Sequence, residues 1–185
     1  MKTDITLKLT PQMTADAQVN QRNPMPGHLG THFDVMDKEF PLDYTERRGI
    51  VFDVSGVTGR DIGIADIDPG KVRKDMFVAF YSGFIEEEGY GSKRYFREHP
   101  QLSPGLIDTL LEKGISIIGI DFAGVRGGKE HSPMDRYCAD RGVFIIENLC
   151  NLKSLVNAGD GLIIHTYPMN FTEMSGLPCR VVAEY

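Results

Sequence analysis

Paired cysteines, basic clusters and long apolar runs are all missing from this chain. Its three cysteines, Cys138, Cys150 and Cys179, are odd in number and far apart, with no Cys-x-x-Cys. That excludes a disulfide framework and a cysteine zinc site, and suits small buried thiols in a reducing compartment. Lys and Arg number 20 against 26 Asp and Glu, for a formal net charge of -6. With no Lys/Arg cluster, neither nucleic acid nor an acidic membrane is an expected partner. No stretch approaches the ~18 apolar residues of a membrane helix. The opening Met1-Lys2-Thr3-Asp4-Ile5-Thr6 carries an acid and no apolar run, so a signal peptide is not expected and the expected setting is the cytoplasm. No repeat, low-complexity tract or strong linker divides the 185 residues. They suit one α/β domain with a sizeable core over 1–185, residues 1–25 forming a loop or an arm able to reach a neighbouring subunit.

What is present is concentrated in Pro26-Gly27-His28-Leu29-Gly30-Thr31-His32-Phe33-Asp34. Two of the five histidines and an aspartate fall within seven residues, and imidazole and carboxylate are the donors that hold zinc or manganese. On a flat strand the two histidines would stand about 13 Å apart, too far for one ion. On a helical turn the same spacing is about 6 Å between Cβ atoms. Asp34 can then reach the same ion only if the chain leaves the turn extended, so a turn or bulge is expected at Gly30, which takes such dihedrals most easily.

Around this stretch the pattern alternates strands and helices. Ile5 to Leu9 alternates like a half-buried strand, and Pro11 to Pro24 is polar and reads as an arm or loop. Strands are expected over 48–55, 62–67, 76–81, 115–121, 143–149, 162–167 and 179–183. Ser103-Pro104 caps a helix that stops at Gly114, and Ser132-Pro133 caps a second ending near Gly142. Asp121 stands at the carboxyl end of a buried strand, where sites are often built and where turns often begin. Glu147 follows an apolar run, where an unpaired charge is costly and a metal would satisfy it. Phe33, Phe40, Tyr44 and Phe122 are candidates for an aromatic-binding pocket or for ordinary core.

In that order, the pieces resemble the cyclase family of metal-dependent hydrolases, the group that includes bacterial kynurenine formamidases and isatin hydrolase. The resemblance rests first on His28-Leu29-Gly30-Thr31-His32-Phe33-Asp34, similar to the family's His-x-Gly-Thr-His-x-Asp. His99-Pro100 with Leu102-Ser103, Gly119-Ile120-Asp121, and Glu147-Asn148-Leu149 with Asn151-Leu152 support it. It implies a swivelling β/β/α fold, a mixed sheet with two or more packed helices, and a homodimer or homotetramer. It implies one or two Zn2+ or Mn2+ ions per chain, held by His28, His32 and Asp34, with Glu147 as a further ligand or a supporting carboxylate. The implied activity is arylformamidase-like hydrolysis of a small-molecule amide (a formamide, lactam or cyclic imide) by a water whose pKa the metal lowers.

Two positions depart from the family. Lys38 occupies the place of the family's proton-carrying histidine, and a lysine needs a cationic or desolvated neighbourhood to titrate near neutrality. Lys38 is therefore a candidate catalytic residue beside Glu147, or else a solvated charge. Asp135 replaces a histidine that completes a second metal position in some members. It can ligate a metal itself or cap a helix, and His131 is a possible substitute ligand. If the change at Lys38 ends turnover, the chain would instead bind or sense a small molecule with the metal pocket retained.

Overall fold

The computed structural model describes residues 1–19 and 27–185. Among these residues the eight strands are β1 (Lys2–Asp4), β2 (His32–Asp34), β3 (Glu46–Asp53), β4 (Phe77–Tyr81), β5 (Ile117–Ile120), β6 (Phe144–Glu147), β7 (Ile163–Pro168) and β8 (Gly176–Glu184). The helices are α1 (Pro11–Val19), α2 (Phe84–Glu88), α3 (Lys93–Arg97), α4 (Pro104–Glu112) and α5 (His131–Ala139). The strands run in the order β1-β8-β2-β6-β5-β4-β3-β7, and β7 pairs again with β8. The sheet therefore closes into a barrel of seven strands, with β1 added beside β8. β3 to β6 are parallel neighbours and the remaining pairings are antiparallel. This is the expected α/β architecture, a mixed sheet with packed helices.

The continuous apolar runs follow from this closure. In β4, Phe77, Ala79 and Tyr81 belong to one core cluster, with Phe33, Val51, Ile146 and Val181, inside the barrel. Val78 and Phe80 belong to the other, with Tyr95, Leu106, Ile107 and Leu110 of the helices. Successive side chains of a strand point to opposite faces, so a strand covered on both faces is apolar at every position. Gly119 in β5 is required by this packing, because a Cβ there would lie 2.6 Å from Phe77 Cε1 and 2.8 Å from Leu149 Cδ1. The capped helix appears as α4, with Ser103 Oγ accepting from Leu106 N and Gly114 at φ +67 beyond its end.

Several local expectations are revised. Part of the stretch read as an arm or loop is helix α1, started by Thr10, whose hydroxyl accepts from Met13 N, and by Pro11 in the first turn. Residues 20–24 of that stretch lie outside the described residues. The first strand is Lys2–Asp4 rather than 5–9, although Ile5 N still bonds Val181 O. Residues Ile64–Asp66 form a 3-10 turn, held by Asp66 accepting from Gly63 N, where a strand was expected. α5 begins at His131, directly after a 3-10 turn, so Ser132 lies inside the first turn and is not the cap. Among the described residues no helix is long and apolar enough to cross a membrane.

Candidate metal centre

The centre is built where β2 meets β6. The antiparallel register sets His32 opposite Glu147 and Asp34 opposite Ile145. His32 and Asp34 share one face of β2, while Phe33 between them turns into the barrel core. His28 joins them by a bend rather than the expected helical turn, and its pivot is Gly30 at φ +69, the position named from sequence. α5 then brings His131 and Asp135, four residues apart and on one helical face, over Glu147 at the end of β6.

The donor atoms converge closely. His28 Nδ1 lies 2.9 Å from His32 Nε2 and 2.9 Å from Asp34 Oδ1, and His32 Nε2 is 3.6 Å from Asp34 Oδ1. Bonds of ~2.0–2.1 Å to a tetrahedral cation separate ligand atoms by about 3.3 Å, so these spacings suit one ion. Glu147 Oε2 stands 3.7 Å from His32 Nε2, while Glu147 Oε1 is 3.2 Å and Asp135 Oδ2 3.3 Å from His131 Nε2. Asp34 and Asp135 are each 1% exposed and Glu147 3%. Among the described residues, both oxygens of Asp34, both of Asp135 and Oε1 of Glu147 lack a hydrogen-bond partner. Buried carboxylate oxygens without donors are costly, and a divalent cation is the group whose charge and coordination would satisfy them.

Protonation tells the same story. Burial disfavours charge on His32, but Asp34 and Glu147 raise its pKa to about 9. Burial would raise Asp34, yet His28 and His32 hold it well below the usual carboxylate range. Burial, with repulsion from Asp34 and Glu147, pushes Asp135 up to about 9, and burial with repulsion from Asp34 likewise raises Glu147.

Surrounding bonds fix the rings. Gly30 O, which can only accept, takes the proton of His32 Nδ1 at 2.8 Å and so turns Nε2 toward the other donors. The same carbonyl accepts from Asn148 Nδ2 at 2.8 Å, Asn148 Oδ1 accepts from Tyr95 OH at 2.7 Å, and Gly30 N donates to Tyr90 OH at 2.9 Å. His28 Nε2 bonds Ser175 Oγ at 3.0 Å, leaving Nδ1 for the cluster. Sequence reasoning missed Ser175, Tyr90 and Tyr95. For Ser175 the sequence holds no signal, whereas Asn148 lay in the Glu147-Asn148-Leu149 motif without an assigned role.

The donors floor an open cavity of about 380 Å³ with Met36, Phe96, Ala123, Ser132 and Ser175 in its walls, within the size range of small-molecule sites. Lys38 is not among the lining residues. Its ammonium pairs with Asp140 at 2.8 Å and Asp37 at 3.2 Å on the surface, and Asp140 and Asp37 raise its pKa further. Lys38 thus stands outside the cavity: the turn after β2 leads it away from the donors, toward α5's far end. Asp121 is also turned to structure, accepting from Ser82 N, Ser82 Oγ and Gly83 N. Phe33, Phe40 and Tyr44 pack with Phe144 as core, and Phe122 stacks on His99. Among the described residues, the Phe or Tyr side chain that reaches the cavity is Phe96.

Comparison with known proteins agrees with this fold. The sequence pattern of the cyclase family, described as "Putative cyclase", matches residues 3–125. No curated protein matches the chain by sequence. Among solved structures, a potential metal-dependent hydrolase with cyclase activity superposes with TM-score 0.73 at 21% identity, covering 99% of this chain and 98% of that one. A predicted metal-dependent hydrolase from Bacillus stearothermophilus gives 0.72 at 21% identity over 99% and 97%. Isatin hydrolase A from Labrenzia aggregata gives 0.69 at 21% identity over 83% and 72%. At these identities the likeness is one of fold.

Proposed function

The chain belongs to the cyclase family, and from that premise we propose that it is a metal-dependent hydrolase cleaving the C–N bond of a small-molecule amide. The observation that carries this reading is the set of buried carboxylate oxygens without partners among the described residues, crowded against the imidazole nitrogens of His28, His32 and His131 at the floor of an open cavity. A divalent cation, zinc or manganese, would supply Lewis acidity there and lower the pKa of water. His28 Nδ1, His32 Nε2 and Asp34 are the residues that would hold it, kept in place by Ser175 and the Gly30 carbonyl. Glu147, with an oxygen free of hydrogen bonds, is placed to take the proton of the attacking water. Met36, Phe96 and Ala123 seat the apolar part of the substrate. The isatin hydrolase fold neighbour and the exposed Phe96 ring favour an aryl formamide or a ring-fused cyclic amide.

The test is hydrolysis of a panel of aryl formamides, lactams and cyclic imides by metal-loaded and chelator-treated protein. Turnover restored by zinc or manganese and lost in His32→Ala is expected; turnover indifferent to chelator, or none on any substrate, would overturn the reading. One observation favours a second reading, a binding or sensing protein. With Lys38 paired at the surface, the residue expected to deliver the leaving amine's proton is absent from the cavity. Tight, metal-dependent binding of the same compounds without product would identify that role.

A further inference from the structure

A second cavity, of about 1360 Å³, runs along β3. Its lining takes in all of Glu46 to Asp53, which at ~3.3 Å a step spans about 23 Å, a length that suits an extended chain better than a compact small molecule. Its basic end lies where β3 and β4 begin, whereas Glu147 stands where the parallel β6 ends. Three features converge in this groove, and the first is a free strand edge. β3 pairs with β7 only over Glu46 to Arg48, and Gly49 N then bonds Leu162 O. Beyond Gly49, among the described residues, no strand continues on that side. Val54 N bonds Tyr81 O on the β4 side, so alternation along the strand turns the backbone groups of Val51 and Asp53 to the open edge. Gly159, which also lines the groove, has open space where a Cβ would stand.

The second feature is an apolar floor, made by Ile50 and Phe52, on the face of β3 that Arg48 shares, together with Met76. The third is uncompensated positive charge. Arg47, Arg48, Lys71, Arg73 and Lys74 line the groove, and among the described residues none of them forms an ion pair, unlike Arg60, Arg94, Arg126 and Arg180. Arg47 instead donates to Ser116 Oγ and lies over the Tyr44 ring, and Arg73 donates to the Gly70 and Val72 carbonyls, so both keep their full charge. Of the lining carboxylates, Glu46 faces His165 at 3.6 Å and Asp53 accepts from Ser55 N and Oγ, which leaves Asp75 and Asp160 against the cations. We propose that this groove binds an extended acidic segment of a partner protein, added as a strand on β3, with its backbone on Val51 and Asp53 and its carboxylates on the cations. An open edge supplies main-chain bonds, the floor takes alternate apolar side chains, and charge of one sign selects the partner and speeds encounter. No metal ion is needed for this role.

Fluorescence polarisation of the full-length protein with a labelled short peptide alternating glutamate and valine reads the affinity, and amide hydrogen exchange reads the backbone. Saturable binding that weakens with added salt is expected, with slowed exchange at the Val51 or Asp53 amide. The same peptide with lysine in place of glutamate, and the same peptide with its backbone nitrogens methylated, should each bind about tenfold more weakly or worse. Lys71→Glu combined with Lys74→Glu, both on exposed side chains, should weaken the acidic peptide by about tenfold or more, with an unchanged circular dichroism spectrum showing that the fold survives. No binding at millimolar peptide, equal binding of the lysine peptide, or binding that protects neither amide overturns the proposal and leaves the hydrolase reading intact. Protection of these amides in the protein alone, lost on dilution, would give the edge to a second copy of the chain and overturn it as well.

Discussion

Asn148→Leu tests the support beneath the metal centre. Asn148 stands at φ +59, a left-handed conformation that asparagine tolerates and leucine does not, at a difference of about 1 kcal/mol. Its side chain is 2% exposed and spans two buried groups, accepting from Tyr95 OH at 2.7 Å and donating to Gly30 O at 2.8 Å. A leucine of similar volume leaves the Tyr95 hydroxyl without a partner, at a cost of ~1–3 kcal/mol. The Gly30 carbonyl keeps His32 but loses its second donor, at ~0.5–1 kcal/mol more. The sum is roughly 3–5 kcal/mol, a large share of the ~5–15 kcal/mol by which such domains are stable. At ~2–4 °C per kcal/mol for a chain of this size, the melting temperature should fall by about 6–20 °C. Because the Gly30 carbonyl also orients His32, metal affinity should weaken by about 10–100-fold. Thermal denaturation of the metal-free protein and calorimetric metal titration measure the two effects separately. Tyr95→Phe should reproduce a smaller part of both, and should add less than its full effect when combined with Asn148→Leu. Unchanged stability, or unchanged metal affinity in a variant that is destabilised, would refute the assigned role of Asn148.

Saturating zinc at about 100 times its dissociation constant should add ~2.7 kcal/mol, or about 5–11 °C of melting temperature, and His32→Ala should abolish the shift. A chelator that leaves the wild-type melting temperature unchanged would contradict the metal reading. Asp135 is pushed from the ordinary carboxylate range up to about 9, so the metal-free folded state binds more protons than the unfolded chain between those values. Metal-free protein should accordingly lose stability as pH rises from about 5 toward 9, and metal binding near neutrality should release protons, seen as a calorimetric enthalpy that varies with buffer ionisation. Lys38→Ala should leave kcat and metal content unchanged, because the ammonium pairs with Asp37 and Asp140 outside the cavity; a large loss of kcat would restore Lys38 to the chemistry. Gly119→Ala places a Cβ against Phe77 and Leu149 in the barrel interior, and denaturant unfolding should show a loss of ~1–3 kcal/mol.

Much of the architecture was legible because burial on both faces writes itself into a strand. Phe77 to Tyr81, Ile117 to Ile120 and Phe144 to Glu147 are apolar nearly throughout, since barrel interior and helix layer both demand it. Ser103-Pro104 marked α4 because a cap and a first-turn proline act locally. α1 escaped because its apolar residues recur at no helical period in the sequence, and only its Thr10-Pro11 start is diagnostic. Ile62 to Ile67 misled because three isoleucines there pack as a turn and a single bridge to Leu102.

The sequence by itself brought together the first half of the candidate metal centre. His28, His32 and Asp34 lie within seven residues, so a glycine bend and a strand's two-residue period suffice to bring them together. Only the tertiary structure decided the second half. His131 and Asp135 come from a helix about a hundred residues later, and they reach Asp34 because β2 enters the barrel beside β6, opposite Glu147. The same closure carries Lys38 elsewhere. Four residues from Asp34 along the chain, it is carried by a turn to the surface and paired there with Asp140, since proximity in sequence outlasts only the strand that contains it.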